Sequence, residues 1–241
     1  MPPRRPSASV ADAPGTLVIV EAIEPAVAGG FPAKAIVGDQ ITVSADVFTH
    51  GHDLVRAWLR HRPIGGRRWV HVPMSALGND RFSGSFTPGR AGLHEVEVIG
   101  APDDIASWLR DAERRHAAGR DDPLDMEVGR ELLARAASEV SAAKGDGGKV
   151  ADAADRVGRA VDSASLALVA SLSGELARRL PPADQTATVG GRILVTAARQ
   201  RAGFSTWYEL FPRSASPDPG RPGTLTDVVA RIPYVVELGF D

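Results

Sequence analysis

The spacing of apolar residues changes once along this chain, and that change restricts what it can fold into. Up to about Gly100, apolar residues come in short runs at period two. Ile41, Val43, Ala45 and Val47 interleave with Thr42, Ser44 and Asp46, the signature of a strand with one buried face. Leu17-Val18-Ile19-Val20 is a compact apolar run, and Val55, Ala57 and Leu59 alternate with Arg56, Trp58 and Arg60. Residues 69–72, 81–87 and 93–99 continue the series, with Gly65-Gly66, Gly78-Asn79-Asp80 and Pro88-Gly89 as turns. Six or seven short strands with no helical run between them predict an antiparallel β-sandwich over residues 15–101.

From there the period lengthens. Residues 102–119 are transitional, with a helix expected around 105–116. Asp121-Asp122-Pro123 is a helix start: acid at the positive dipole end, proline in the first turn. Leu124, Val128, Leu132, Ala136 and Val140 then fall four apart, and Lys144-Gly145 ends the run with a cation and a C′ glycine. A second helix is expected through Val150, Ala154, Val157 and Val161, and a third through Leu166, Val169, Leu172, Leu176 and Leu180, stopped by Pro181-Pro182. Helices this short are marginal alone, so a bundle over residues 102–183 is the expectation. No internal repeat is visible.

Residues 184–241 read as a linking strand at Ile193-Leu194-Val195-Thr196, then a buried strand at 204–214, an exposed connection at 215–223, and a helix. That helix is N-capped by Thr224 or Thr226, carries Leu225, Val228, Val229 and Ile232, and ends at Leu238-Gly239. Strand, loop and helix are the opening of a βα unit. Residues 1–14, rich in Pro, Ser, Ala and Arg, are expected to be a disordered tail.

Composition excludes several classes. A formal net charge of −2 gives no broad electrostatic attraction to nucleic acid or membrane. No run of about 18 apolar residues is present to span a bilayer. The start, Met1-Pro2-Pro3-Arg4-Arg5-Pro6, lacks the apolar stretch of a secretory signal, so a cytoplasmic location is expected. With no cysteine there is no disulfide, thiolate zinc site or cysteine nucleophile.

Four stretches resemble a known family. Tyr208-Glu209-Leu210-Phe211-Pro212-Arg213-Ser214 resembles the first barrel strand of the α-amylase superfamily (glycoside hydrolase family 13). Gly223-Thr224-Leu225 through Leu238-Gly239-Phe240-Asp241 resembles its first barrel helix. Pro32-Ala33-Lys34-Ala35-Ile36-Val37-Gly38-Asp39, with Val43, Ala45, Val47 and Gly51-His52-Asp53, is similar to the N-terminal domain of the α-1,4-glucan:maltose-1-phosphate maltosyltransferases. Phe86-Thr87-Pro88-Gly89-Arg90-Ala91-Gly92 fits the same family. The resemblance implies a multi-domain fold: an N-terminal antiparallel β-sandwich, an α-helical bundle insert, then the first βα unit of a truncated (β/α)₈ barrel.

It also implies transfer of maltosyl units from α-maltose 1-phosphate to an α-1,4-glucan acceptor, with retention of configuration and release of phosphate. No cofactor is implied. Homodimerisation through sandwich and insert is. Retention needs two carboxyl groups about 5–5.5 Å apart, projecting from barrel strands, and a barrel takes about 250 residues. The superfamily's catalytic acids sit on later strands than the one present, so no catalytic, substrate-binding or metal residue is assigned here, and the chain alone is expected to be inactive. The alternative is a non-catalytic glucan-binding or dimerisation module.

Several residues invite a role and have a plainer one. His50-Gly51-His52-Asp53 has metal-ligand residue types but no further ligands in sequence, and reads as a turn. Glu209 reads as a structural carboxylate paired with Arg213, and Arg213-Ser214 as structural. Gly29-Gly30 and Gly65-Gly66 lack the following Lys-Ser/Thr of a phosphate loop. Trp58, Trp69, Trp108 and Trp207 have rings suited to stacking on sugars, with core packing the expected fate of most. Arg67-Arg68 reads as solvated surface.

Overall fold

The structure, a computed structural model, describes residues 18–142, 152, 166, 169 and 187–240. Among them are ten strands in two sheets. One sheet runs β1 (Val18–Glu24), β3 (Ile41–Thr49), β7 (Arg81–Phe86), β6 (Ser75–Gly78), antiparallel throughout. The other runs β2 (Ala33–Ile36), β10 (Ile193–Ala198), β8 (Gly92–Pro102), β4 (Val55–Pro63), β5 (Val70–Pro73), with the short β9 (Thr188–Val189) also on β8. The alternation seen in the sequence places Val43, Ala45 and Val47 of one sheet against Ala57, Leu59, Val96, Val98 and Val195 of the other. Burying each Val or Leu is worth roughly 1.5–3 kcal/mol, which is what holds the sheets face to face.

Local chemistry fixes the register. The β6–β7 hairpin turns through Asn79 and Asp80, both at positive φ, as a two-residue hairpin requires. The Asp80 carbonyl then accepts from Val47 N at 2.8 Å, tying the hairpin to the sheet. Gly100 has no β-carbon for a packing reason. One built there would lie 2.7 Å from Val47 Cγ1 and 2.8 Å from Val18 Cγ1.

The sandwich differs from the expectation in three ways. Ile193–Ala198 is not a link to the next domain but β10, an interior strand between β2 and β8. Its pairing with β2 is parallel, so the sandwich is not wholly antiparallel. β2 and β6 also add two strands whose four residues each are too short to show a period. The chain thus leaves the sheet after β8 and returns to the same edge of β8, through Val189 opposite Ile99 and Ile193 opposite Val96.

Between departure and return lie helices α1 (Asp104–Ala117) and α2 (Pro123–Ala142). Asp103 N-caps α1 through Ala106 N at 3.0 Å, and Arg114, Arg115 and His116 complement its C-terminal dipole. α2 starts where expected, with Asp122 accepting from Leu124 N at 2.9 Å. Its buried face matches the expected stripe only in part, at Ala136 and the half-buried Leu132. Leu124 and Val128 are exposed, and Met126, Gly129, Leu133, Ala136 and Ala137 face inward with Trp108, Leu109 and Ala112. Trp108 sets that rotation: its indole lies on Gly129, and its Nε1 donates to Asp125 O at 2.7 Å. Leu166 and Val169 are helical and buried in the same cluster. The remainder of the second and third expected helices, the end of the first at Lys144-Gly145, and the tail 1–14 lie outside the described residues.

The segment expected as a buried barrel strand, 204–214, is not a strand. It has no strand assignment, is exposed over most of its length, and closes in a single 3₁₀ turn at Pro212–Ser214. A strand needs a neighbour for its N–H and C=O groups, and no described strand pairs with it. α3 (Leu225–Glu237) follows as expected, capped by Thr224 and Asp227, with Leu238 at the C-cap and Gly239 at φ 82°.

Candidate functional site

β4 and β8 run antiparallel with Arg60 opposite Glu97 and Arg62 opposite Glu95. These four alternate with core residues Leu59, Val96 and Val98, so they project from the outer face of the six-stranded sheet. Arg60 Nε donates to Glu97 Oε2 at 2.8 Å, and Arg62 Nε to Glu95 Oε2 at 2.7 Å. Arg192, just before β10, closes the lattice from the other side. Its Nε donates to Glu97 Oε1 at 2.9 Å and its Nη1 to Glu95 Oε1 at 2.6 Å. Every oxygen of both carboxylates therefore faces a guanidinium, and the hydrogen bond to Glu97 raises Arg192 further above its ordinary value.

The carboxylates are 7% (Glu95) and 5% (Glu97) exposed, although they lie on the outside of the sandwich. What covers one flank is Trp69, from the β4–β5 connection. Its ring centroid is 4.1 Å from Arg62 Cζ and 4.7 Å from Arg60 Cζ, a double cation–π contact. Trp69 is half-exposed, and the Arg192 side chain is 49% exposed. The two carboxylates thus lie between Arg60 and Arg62, which carry Trp69, and Arg192.

A second polar feature lies inside. His61 stacks on Phe86 at 4.2 Å, and His94 lies beyond that ring at 6.4 Å. His94 Nε2 is 3.1 Å from Arg90 O, while the Nδ1 atoms of both histidines are buried without a hydrogen-bond partner. Burial, with His94 and His71 nearby, pushes the His61 imidazole down to about 4.

A third is the C-terminal segment. Phe204 and Trp207 are 81% and 86% exposed, and Phe211, Leu225, Val229, Ile232 and Val236 are exposed too. Tyr208 meets Tyr234 and Phe240 edge-on, at 6.4 and 5.3 Å. A β-carbon on Gly223 would lie 2.2 Å from Pro212 O, so glycine is required where α3's approach folds back on the 3₁₀ turn. Arg221 makes a bidentate pair with Asp227 at 2.8 and 2.9 Å; that pair, then Thr224 N–H and hydroxyl, hold the Asp227 carboxyl well below the usual carboxylate range.

The residues singled out in the sequence scatter. His50, Gly51, His52 and Asp53 form the exposed β3–β4 turn, where the His52 carbonyl accepts from Arg110. Among the described residues no group of three His, Asp or Glu has the geometry to hold a metal. Glu209 and Arg213 are exposed, and no ion pair joins them among the described contacts. Gly29, Gly30 and Gly65 occupy turns at positive φ. Trp58 and Trp108 are buried as expected, whereas Trp69 is half-exposed and Trp207 exposed. Arg67 and Arg68 are surface residues flanking Trp69. Glu95, Glu97 and Arg192 drew no attention in the sequence, although Arg60-His61-Arg62 and Glu95-Val96-Glu97 are complementary alternations on adjacent strands.

Residues 16–199, the sandwich with its helical insertion, match the family model for alpha-1,4-glucan:maltose-1-phosphate maltosyltransferase, domain N/S. The chain belongs to this family. Curated relatives agree. An alpha-1,4-glucan:maltose-1-phosphate maltosyltransferase of Chlorobaculum tepidum is 37% identical over 93% of this chain and 33% of its own length. Maltosyltransferases of the same name from Cereibacter sphaeroides and Myxococcus xanthus are 34% and 35% identical, over 93% of this chain and 33% and 35% of theirs. The chain spans about a third of the length of these relatives. Among the described residues no helix is long and apolar enough to cross a membrane.

Proposed function

We propose that this chain serves as the N-terminal part of a cytoplasmic, retaining maltosyltransferase of glycoside hydrolase family 13. That enzyme moves maltosyl units from α-maltose 1-phosphate to the end of an α-1,4-glucan and releases phosphate. The observation that carries the reading is the family match over 16–199, which covers both sheets of the sandwich and the helical insertion. The chain's own share is architectural. Retention requires one carboxyl that attacks and another that protonates the leaving group. Glu95 and Glu97 are adjacent, but all four oxygens already accept from guanidiniums, so neither is placed to give a proton to a phosphate or sugar oxygen.

The exposed apolar side chains of 204–236 fit a role as one βα unit of a barrel whose other units cover them. The exposed Leu124 and Val128 of α2 fit a homodimer contact through the insert. The second reading, a glucan-binding module without catalysis, is favoured by one feature, the Trp69 surface.

Two measurements test the main reading. The purified 241-residue chain is expected to release no phosphate from α-maltose 1-phosphate with a maltooligosaccharide acceptor. A chimera in which this chain replaces the corresponding segment of the Chlorobaculum tepidum relative is expected to release it. A soluble, folded but inactive chimera, or an active isolated chain, overturns the reading.

A further inference from the structure

The His50-Gly51-His52-Asp53 turn has metal-ligand residue types without metal geometry, which leaves the motif without a role. Its backbone supplies one, because α1 docks on it at three points. The Leu54 amide donates to Ser107 Oγ at 2.7 Å, and the Leu54 carbonyl accepts from Asp103 N at 2.8 Å. The His52 carbonyl accepts from Arg110 Nη1, while Arg110 Nε donates to Asp111 at 2.9 Å and the Asp53 charge lies nearby. Asp103, Ser107 and Arg110 are spaced four and three apart, so they share one side of the helix. From this arrangement we propose that the β3–β4 turn is a latch. It fixes the helical insertion against the sandwich, and its release frees the insertion to swing about the point where the chain crosses at β8 and β9.

Packing does not do this job. Among the described residues the two hydrophobic cores share no member: Trp108, Leu109, Ala112 and Leu133 belong to one, Val43, Val47, Leu59 and Val98 to the other. Apolar burial is non-directional and here acts within each core, so it leaves the angle between them open. Hydrogen bonds are directional, and three of them converge on residues 52–54. The chain path adds little restraint. Gly100 pairs with Thr188, so departure and return lie side by side, and two adjacent crossings make a pivot. β4 pairs with the opposite edge of β8 from β9 and β10, which places the turn away from that pivot, where a hold has leverage. The composition of the motif follows. Gly51 takes φ 93°, a conformation that favours glycine, and His52 contributes its carbonyl, so its ring is replaceable. The latch also sets the direction in which α2 presents its exposed Leu124 and Val128. It stands whether or not the family reading above holds.

The chain has no cysteine, so two introduced ones carry spin labels at chosen sites. With Ala76→Cys on β6 and Ser138→Cys on α2, both exposed positions, pulsed dipolar spectroscopy reads the orientation of the insertion as a distance. The labelled 241-residue chain is expected to give one narrow distance distribution. Ser107→Ala together with Arg110→Ala is expected to broaden it about twofold, whereas His52→Ala leaves it narrow. By NMR the Leu54 amide is expected to exchange more slowly than those of Gly51 and His52, and about tenfold faster once Ser107 is alanine. A distribution already broad in the parent, or equally narrow after both substitutions, overturns the latch. Broadening by His52→Ala to the same extent places the hold in the imidazole and overturns it too. Circular dichroism confirms that each variant is folded. If the double variant is not, the parent's Leu54 amide still decides, since exchange as fast as that of Gly51 means that nothing holds it.

Discussion

A β-carbon at Gly129 would lie 2.0 Å from Cζ2 of Trp108, inside the buried cluster that joins α1 and α2. Gly129→Ala gains helix propensity of nearly 1 kcal/mol, yet is expected to destabilise the insertion by about 2 kcal/mol net, because overpacking a filled site costs more. A lowered midpoint in chemical denaturation followed by Trp fluorescence checks it. His61 gives a prediction in pH. Its imidazole titrates near 4 when folded and near 6.5 when unfolded, so only the unfolded state takes up the proton between those values. Stability is complete above about pH 6.5, falls as pH drops toward 4, and is expected to lose on the order of 1–2 kcal/mol after allowing for partial solvent access. His61→Phe is expected to flatten that slope between urea melts at pH 7 and pH 4.5. Neither residue was legible as important in the sequence. A glycine in a helix or a histidine in a strand acquires its meaning from what lies across the interface. The Arg60–Glu97 and Arg62–Glu95 pairs were written in the alternation of β4 and β8, but only the register makes them partners.

Elements whose boundaries are set by local chemistry could be read directly. α3 begins at Thr224 because the threonine hydroxyl accepts from Asp227 N while the Asp227 carboxylate accepts from Thr224 N, a capping box spelled out within four residues. Thr224→Ala is expected to speed hydrogen exchange of the first-turn amides about fivefold, with the last turn unchanged. Since the folded Asp227 carboxyl sits below its unfolded value of 3.8, the cap is present above that pH and is lost only well below it. The helical signal of α3 is therefore expected to be the same at pH 4 and pH 7. Segment 204–214 shows the opposite limit. Its aromatic and β-prone residues carry the composition of a strand, but composition does not supply the neighbouring chain whose carbonyls and amides a strand must meet. The first half of the stripe on α2 departs from the core for a related reason, while Leu132 and Ala136 keep their place. Leu124 and Val128 are correctly spaced, yet Trp108 docks on the glycine face one position away.

At the scale of the molecule, two textures in the sequence, period two then period four, accompany the strands up to Pro102 and the helices over 104–142. They hid that the sheet is discontinuous in sequence, because β10 has the same apolar look as a strand of any sheet. Gly100 and Thr188 pair directly on β8 and β9, so residues 103–187 begin and end almost at the same place. Replacing that stretch with a short Gly-Ser turn is expected to leave a sandwich that unfolds in one cooperative step, since insertions between neighbouring strand ends are the ones a fold tolerates. A far-ultraviolet spectrum without strand signal, or a chain that aggregates on refolding, would show that the helices are needed to close it. Arg192 and β10 also give the ribosome a schedule. β2 emerges with the first strands, but its sheet neighbour among the described residues, β10, comes some 160 residues behind it, and Glu95 and Glu97 wait 97 and 95 residues for Arg192. At about 5–20 residues per second the nascent sandwich spends roughly ten to thirty seconds with an unzipped edge, its most dangerous interval for wrong pairing.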